Sequence, residues 1–415
     1  MEMNRIAGLL LFLLITRTAI AQFAILPYDS IVDLPIEKDR IIAEGWADYN
    51  SGSVFNELPW NIYRGGFISR EMRERSRDEL APHNSIGYSL SARLSWIGGD
   101  SLFGKPRMRP IVSLAYRNLL GATFARDVYE LAFFGNAHFE DRTADLGGSA
   151  HTQITWQSAG FGVQDAVTRS YIRLDLLRGR SLNSSDIKDA ALYTAPDGRL
   201  LELSTDASYW RTDTAGKDPE HTNGIGASIS GRLNLQRNFI GLPAEFSIVI
   251  EDAGFIQWNS NSIQVRRRET LEYDGLEVDN IFDLNNILLG EEQLLDTFGL
   301  SYEKRSFTTL LPVRIALELD LSLDEFWKAG LMIDQRYMPG YKPHVMLDAS
   351  RRFGDRVLLG ASAAIGGYGT LRFGLVSRFR IADLILLEVG STHVPGFFIG
   401  QTRGVGAFAS VTIGY

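Results

Sequence analysis

Apolar and polar residues alternate one by one along much of the chain. Between Ser85 and Trp96, the residues Ile86, Tyr88, Leu90, Ala92, Leu94 and Trp96 interleave with Ser85, Gly87, Ser89, Ser91, Arg93 and Ser95. The same period recurs at 225–235, 313–322, 371–381 and 405–415, and more weakly in nine further stretches from 107–117 to 384–391. Successive side chains of a strand point to opposite faces, so each stretch predicts a strand with one apolar and one polar wall. Several exceed the usual strand length of about five or six residues. Alternating segments of about ten residues, separated by turn chemistry, predict an antiparallel transmembrane β-barrel. The expected count is 14 to 18 strands, an even number being usual for bacterial barrels, with 16 preferred.

A long sheet with one apolar face needs an apolar partner. A second sheet would make a soluble sandwich. Lipid would require the sheet to close, so that no backbone edge is left unpaired in hydrocarbon. Aromatics near predicted strand ends, among them Tyr88, Trp96, Tyr116, Trp210, Trp258, Trp327 and Tyr337, suit the interfacial girdles of a membrane barrel. The last strand, "VGAFASVTIGY", places Val411, Ile413 and Tyr415 on its apolar face.

Connections give a second test. Reading back from a last strand that descends to the periplasm, 380–383, 353–356 and 322–325 are short, as periplasmic turns should be. The stretches 394–402, 338–343 and 212–223 are longer, as outward loops should be. The segment 276–298 breaks the alternation. Counting places it on the periplasmic side, and Ile281, Leu284, Ile287, Leu288 and Leu295 predict a short amphipathic helix there. Residues 22–81 differ from the rest: "ISREMRERSRDEL" (68–80) is a run of alternating charge that reads as a solvated helix or loop. That segment is expected to form a plug, a collar or irregular first strands, with the barrel proper at 82–415.

Residues 1–21 read as a secretory signal peptide. Arg5 precedes an apolar core from Ile6 to Ile15, and Ala19-Ile20-Ala21 forms an A-x-A cleavage site. The core is too short to span a bilayer, which needs about 20 residues. With hydrophobic residues at 45%, charged residues at 22% and a mean hydropathy of -0.06, a bundle of membrane helices is excluded but a barrel is not. A net charge of -8 and the lack of a basic stripe argue against a nucleic-acid partner. The absence of cysteine removes disulfides, thiolate metal sites and cysteine nucleophiles.

The six histidines make no i, i+4 pair, and no nucleophile elbow, P-loop or strand–GxGxxG–helix unit is present. No enzyme activity, metal or cofactor is expected. The informative charges share the polar faces of strands: Arg314, Glu318 and Asp320 on one, Asp334 and Arg336 on the next, then Asp348 and Arg352, and later Arg372, Arg378 and Arg380. Facing a lumen, they would either line a selective pore or pair across strands to fill a closed barrel. The second reading is preferred. The triplet Arg266–Arg268 reads as a solvated strand end, or as a contact for lipopolysaccharide phosphates.

The ending "VTIGY" resembles the signal by which bacterial outer-membrane barrels are recognised by the barrel-assembly machinery. The stretches "YELAFFGNAHFEDRTADLGGSA" (129–150), "LYTAPDGRLLEL" (192–203) and "GLPAEFSIVIEDAGFIQWNSNS" (241–262), with the closing strands, resemble an uncharacterised family of Bacteroidota outer-membrane proteins. That family is loosely akin to barrels of the long-chain fatty-acid transporter type. The resemblance implies an outer-membrane location and assigns no catalytic or ligand residues. The first functional reading is an accessory subunit of an outer-membrane assembly or secretion machine. The segment 276–298 is read as a helix tucked under the barrel mouth, in preference to a periplasmic lid or a docking element for other outer-membrane or periplasmic proteins. The alternative is a transporter or channel for a small or hydrophobic substrate. A secreted glycan-binding sandwich is the rival outside the membrane. The implied partners are outer-membrane lipid, lipopolysaccharide and the assembly machinery.

Overall fold

The computed structural model describes residues 39–99, 101–102, 104–105, 107–196, 200–213, 221–274, 303–382 and 384–415. The strands are β1 (Arg40–Ser51), β2 (His83–Ile97), β3 (Met108–Ala125), β4 (Arg142–Asp145), β5 (Ser149–Asp165), β6 (Tyr171–Thr194), β7 (Leu200–Arg211), β8 (Gly224–Phe239), β9 (Leu242–Trp258) and β10 (Ile263–Asp274). They continue with β11 (Glu303–Lys304), β12 (Thr308–Leu310), β13 (Arg314–Ser322), β14 (Trp327–Arg336), β15 (Lys342–Phe353), β16 (Val357–Gly367), β17 (Gly369–Ala382), β18 (Ile385–Ser391) and β19 (Gly404–Gly414). Three helices intervene: α1 (Glu57–Arg64), α2 (Arg70–Asp78) and α3 (Arg126–Phe134).

The named strands pair antiparallel, and β1 bonds to both β2 and β19, so the sheet closes on itself. The closed wall has 14 strands, not 16. Two features account for the difference. First, β12 and β13 are one stave: both pair with β9, and the ladder breaks between them at Pro312, which has no N–H to donate. Second, β6 is 24 residues long. Its first half pairs with β8 in the wall, while its second half carries β4 and β7, with β10 and β11 beyond, as an extension past one rim.

Arg40 pairs with Gly414, so both ends of the ring lie at one rim, here the terminal rim. Four of its hairpins are short, at 166–170, 240–241, 323–326 and 354–356, whereas the β2–β3 connection at 98–107 is longer. The long connections at 52–82 and 126–148, and the extension, lie at the far rim. Segment 276–298 lies outside the described residues. Strands β10 and β11 both belong to the extension at the far rim.

Period-2 burial runs around the ring with the apolar side outward. Leu114, Phe161, Leu174, Leu317, Leu347 and Phe373 are exposed, and Leu174 at 56% faces away from Arg173 at 4% and Asp175 at 1%. The interior holds Ser91, Arg93, Arg117, Ser228, Ser247, Glu251, Arg314, Asp334 and Arg372, all buried. This inverts a soluble core: polar groups face one another inside, and the outer belt is apolar. Among the described residues, no helix is long and apolar enough to cross a membrane, which says nothing about the strands. Some apolar packing remains inside. Trp46 stacks on Phe408 at 5.8 Å, and Ile154, Trp156, Ile256, Trp258 and Leu311 form a fully buried cluster near the far rim.

Arg40–Ser51 is a full stave, so the wall starts within the 22–81 segment. The charged run at 68–80 contains α2, capped by Ser69, whose hydroxyl accepts from the Met72 N–H at 3.3 Å. With α1 and α3 it covers part of the far rim through Val54, Leu58, Leu80 and Tyr129. Asn56 pins this cap to the last hairpin by donating to the Gly404 carbonyl at 2.8 Å and to Thr402 at 2.9 Å.

Candidate functional site: ion pairs across the lumen

The site is built around an irregularity in β9. Strict alternation would send Glu251 and Asp252 to opposite walls. Instead, the register with β8 slips between Ile229 and Gly231, and both carboxylates are buried inside. This is a bulge, with two residues opposed to one. Asp252 takes φ 56°, a left-handed conformation that a short polar side chain tolerates better than most, and its N–H donates to Ser230 Oγ at 3.2 Å.

Glu251 then meets arginines from an arc of the wall. Its Oε2 accepts from Arg314 Nη1 at 3.2 Å, and Oε1 lies 3.8 Å from Arg93 Nη2 and 3.9 Å from Arg117 Nη2. Asp252 is 3.4 Å from Arg117, and Arg93 reaches Glu44 on β1 at 3.9 Å. On the other side, Arg314 Nε is 3.5 Å from Asp334, which also accepts from His344 Nδ1 at 2.8 Å and the Tyr341 hydroxyl at 2.7 Å. In the ring, β3 and β9 are separated by β5, β6 and β8, so the Arg117–Glu251 contact spans the lumen instead of following a ladder. The three arginines and Glu251 have side-chain exposures of 3 to 6%. Buried pairs of this kind add little net stability, because desolvation offsets attraction, but losing one member leaves charge stranded.

Arg314 and Asp334, among the charges marked in the sequence, belong to this layer. The others are distributed around it. Glu318 pairs with Arg232 on β8, and Arg378 donates to Glu388 on β18 at 2.8 Å. Arg372 donates to the Gly366 carbonyl at 3.0 Å. Asp348 is buried beside Gly330, where a β-carbon would collide with it. Half-buried Arg352 lies over the Phe326 ring at 5.8 Å, and Arg380 is half-buried at the same rim. Arg336 is half-buried and lines a chamber described next. Arg266–Arg268 lie on β10 in the extension, with Arg267 near Glu269 at 3.7 Å. Ile413 and Tyr415 are exposed and Val411 half-buried. The sequence reading missed Glu44, Arg93, Arg117, Glu251 and Asp252. Arg93 stood on a legible polar face; the acids were hidden by the bulge.

Two spaces flank the layer. At the terminal rim a polar cavity of about 700 Å³ is lined by Arg169, Gln236, Glu245, Asp320 and Lys328. Arg169 sits in the 166–170 turn, and burial pushes its guanidinium down to about 9. Towards the far rim a chamber of about 60 Å³ lies among Trp46, Asp48, Arg336, His344, Tyr368 and Arg372. Its roof is formed by hairpin tips that fold inward. Gly366 and Gly367, at φ 91° and 63°, turn Tyr368 into the lumen, where its ring meets Tyr341 edge-on at 5.1 Å.

This closed, polar-lined 14-strand barrel has been compared with known proteins. Residues 242–386 match the model of a family described as "Family of unknown function (DUF5723)". The match takes in β9 with its bulge and the wall from β13 into β18, and leaves out 129–150 and 192–203. No curated protein matches the chain. Solved structures similar to it include a TodX deltaS2S3 mutant monoaromatic hydrocarbon channel, at 9% identity over 96% of both chains with a TM-score of 0.45. The Pseudomonas putida toluene transporter TodX matches at 10% identity over 96% of this chain and 94% of its own, with a TM-score of 0.39. The Ralstonia pickettii toluene transporter TbuX matches at 9% identity over 91% and 90%, with a TM-score of 0.41. The fold assignment rests on the pairing and burial above, not on these likenesses.

Proposed function

We propose that the chain is a non-enzymatic outer-membrane barrel that passes a small solute, and that the Glu251 layer is its constriction. The observation that carries this is the contact of Glu251 with Arg93, Arg117 and Arg314 across a polar lumen, between a cavity at one rim and a chamber towards the other. A barrel serving only as a rigid scaffold could fill its interior with apolar side chains, with no charges to desolvate. A charged layer between two open spaces suits a path whose opening depends on exchanging ion-pair partners. This favours the transporter or channel reading over the accessory subunit.

In this reading the exposed apolar belt meets lipid, the terminal rim faces the periplasm, and the far rim meets lipopolysaccharide. Val411, Ile413 and Tyr415 present the closing strand to the barrel-assembly machinery. One observation keeps the accessory reading in play: Tyr63, Phe67 and Phe398 are 77%, 85% and 82% exposed at the far rim, as a docking patch would be.

Planar-bilayer recordings of the purified chain and of Glu251→Ala test the proposal. The expected result is rare or small steps for the wild type and larger, more frequent ones for the variant. If both are silent although correctly folded by heat-modifiable migration, the passage reading falls and the accessory one replaces it.

A further inference from the structure

We infer that the chamber beneath Tyr368 is a binding site for a small oxyanion. Arg336 Nε and Arg372 Nε, on two residues that line it, have no hydrogen-bond partner, and the unpaired Asn50 Oδ1 lies on the same lining. Arg372 is only 6% exposed, so bulk water does not satisfy it. Buried donors left unpaired are costly, and two guanidinium groups around one space call for an acceptor within it.

Charge gives the sign of the occupant. Neither Arg336 nor Arg372 has a carboxylate at ion-pair distance among the described residues. The lining carboxylate, Asp48, is committed elsewhere: Oδ1 accepts from Thr392 Oγ1 at 2.7 Å, and Oδ2 accepts from Asn50 Nδ2. His344 donates its Nδ1–H to Asp334, so its Nε2 is an acceptor and adds no donor to the chamber. Two guanidinium groups against one carboxylate leave one positive charge in excess. Planar guanidinium groups pair well with oxyanions.

Size sets the class. At about 10–15 Å³ per water-sized occupant, about 60 Å³ holds four or five heavy atoms. Phosphate, sulfate and acetate fit; an acyl chain does not. The inference stands apart from the passage reading, since occupancy can be measured without transport.

The test is calorimetric titration of the full chain in detergent at constant ionic strength, with inorganic phosphate, sulfate and acetate as separate probes. The expected result is one saturable site for at least one of them. Hydrogen bonds to charged groups imply weakening of about tenfold or more in Arg336→Gln and in Arg372→Gln. Arg336→Lys and Arg372→Lys, which keep the charge and lose the planar fork, should weaken binding several-fold. Should a glutamine variant fail to fold, the lysine comparison decides. The inference is overturned if none of the three anions binds saturably, because water then fills the chamber. It is equally overturned if binding persists unchanged in the folded variants. Binding without conductance would remove the passage reading and leave this one intact.

Discussion

The ring of Tyr368 occupies the space that a β-carbon on Gly87 would fill. Gly87 on β2 and Gly121 on β3 are cross-strand partners, and together they form a flat seat for this side chain. Tyr368 reaches them from the β16–β17 hairpin, and Ser85 Oγ donates to its carbonyl at 3.2 Å. The far half of the lumen is therefore roofed by a side chain that needs two residues with no side chain.

Filling the seat should loosen the roof. Gly87→Ala is expected to lower stability by about 1–3 kcal/mol through overpacking. Combining it with Tyr368→Ala should recover part of that loss. Urea unfolding from lipid vesicles, arranged as a double-mutant cycle, measures the coupling; additive losses would mean that the ring is not held by the glycines.

Removing Glu251 should be more damaging than its own contacts suggest. Arg93, Arg117 and Arg314 share it at 3–6% exposure, so Glu251→Ala leaves three buried cations with one acid partner fewer each, Glu44, Asp252 and Asp334 remaining. A loss of about 3–5 kcal/mol is expected. Replacing Arg232, whose partner Glu318 is more accessible, should cost clearly less by the same unfolding measurement.

The outer belt gives a test of its surroundings. Leu174 is 56% exposed on the outer face of β6. If lipid covers it, Leu174→Arg should lower stability by about 2–4 kcal/mol in vesicles. On a water-exposed surface the same change falls within about 0.5 kcal/mol.

The cap has a pH limit of its own. Tyr129 on α3 is buried against α2 and donates its hydroxyl to the Arg73 carbonyl at 3.0 Å; burial pushes the phenol up to about 12. An unfolded tyrosine ionises near pH 10, so this contribution is fully present below pH 10 and is lost as pH rises towards 12. Protease sensitivity of the 52–82 segment should rise across that window, and Tyr129→Phe should remove the dependence.

The wall was legible in the sequence because one rule, alternation, holds over most staves. Leu371 to Ile381 on β17 and Val313 to Leu321 on β13 show it plainly. The strand number was not legible, because alternation does not tell a stave from the upper half of β6 or from β10. Pro312 did mark the break in one stave. β1 went unassigned as a strand because "RIIAEGWADYNS" alternates weakly. The site was half legible. Parity placed Arg314 and Asp334 on one side of the sheet, but it also separates Glu251 from Asp252, and the bulge that reunites them depends on Ser230, a residue of the neighbouring strand.

The seam between β1 and β19, where Asn50 faces Gly404 and Arg40 faces Gly414, joins the first described strand to the last. No hoop exists until these two strands have found each other. Until then both margins carry bare amide and carbonyl groups. A chain cut short by a dozen residues would be not a slightly smaller vessel but an open strip.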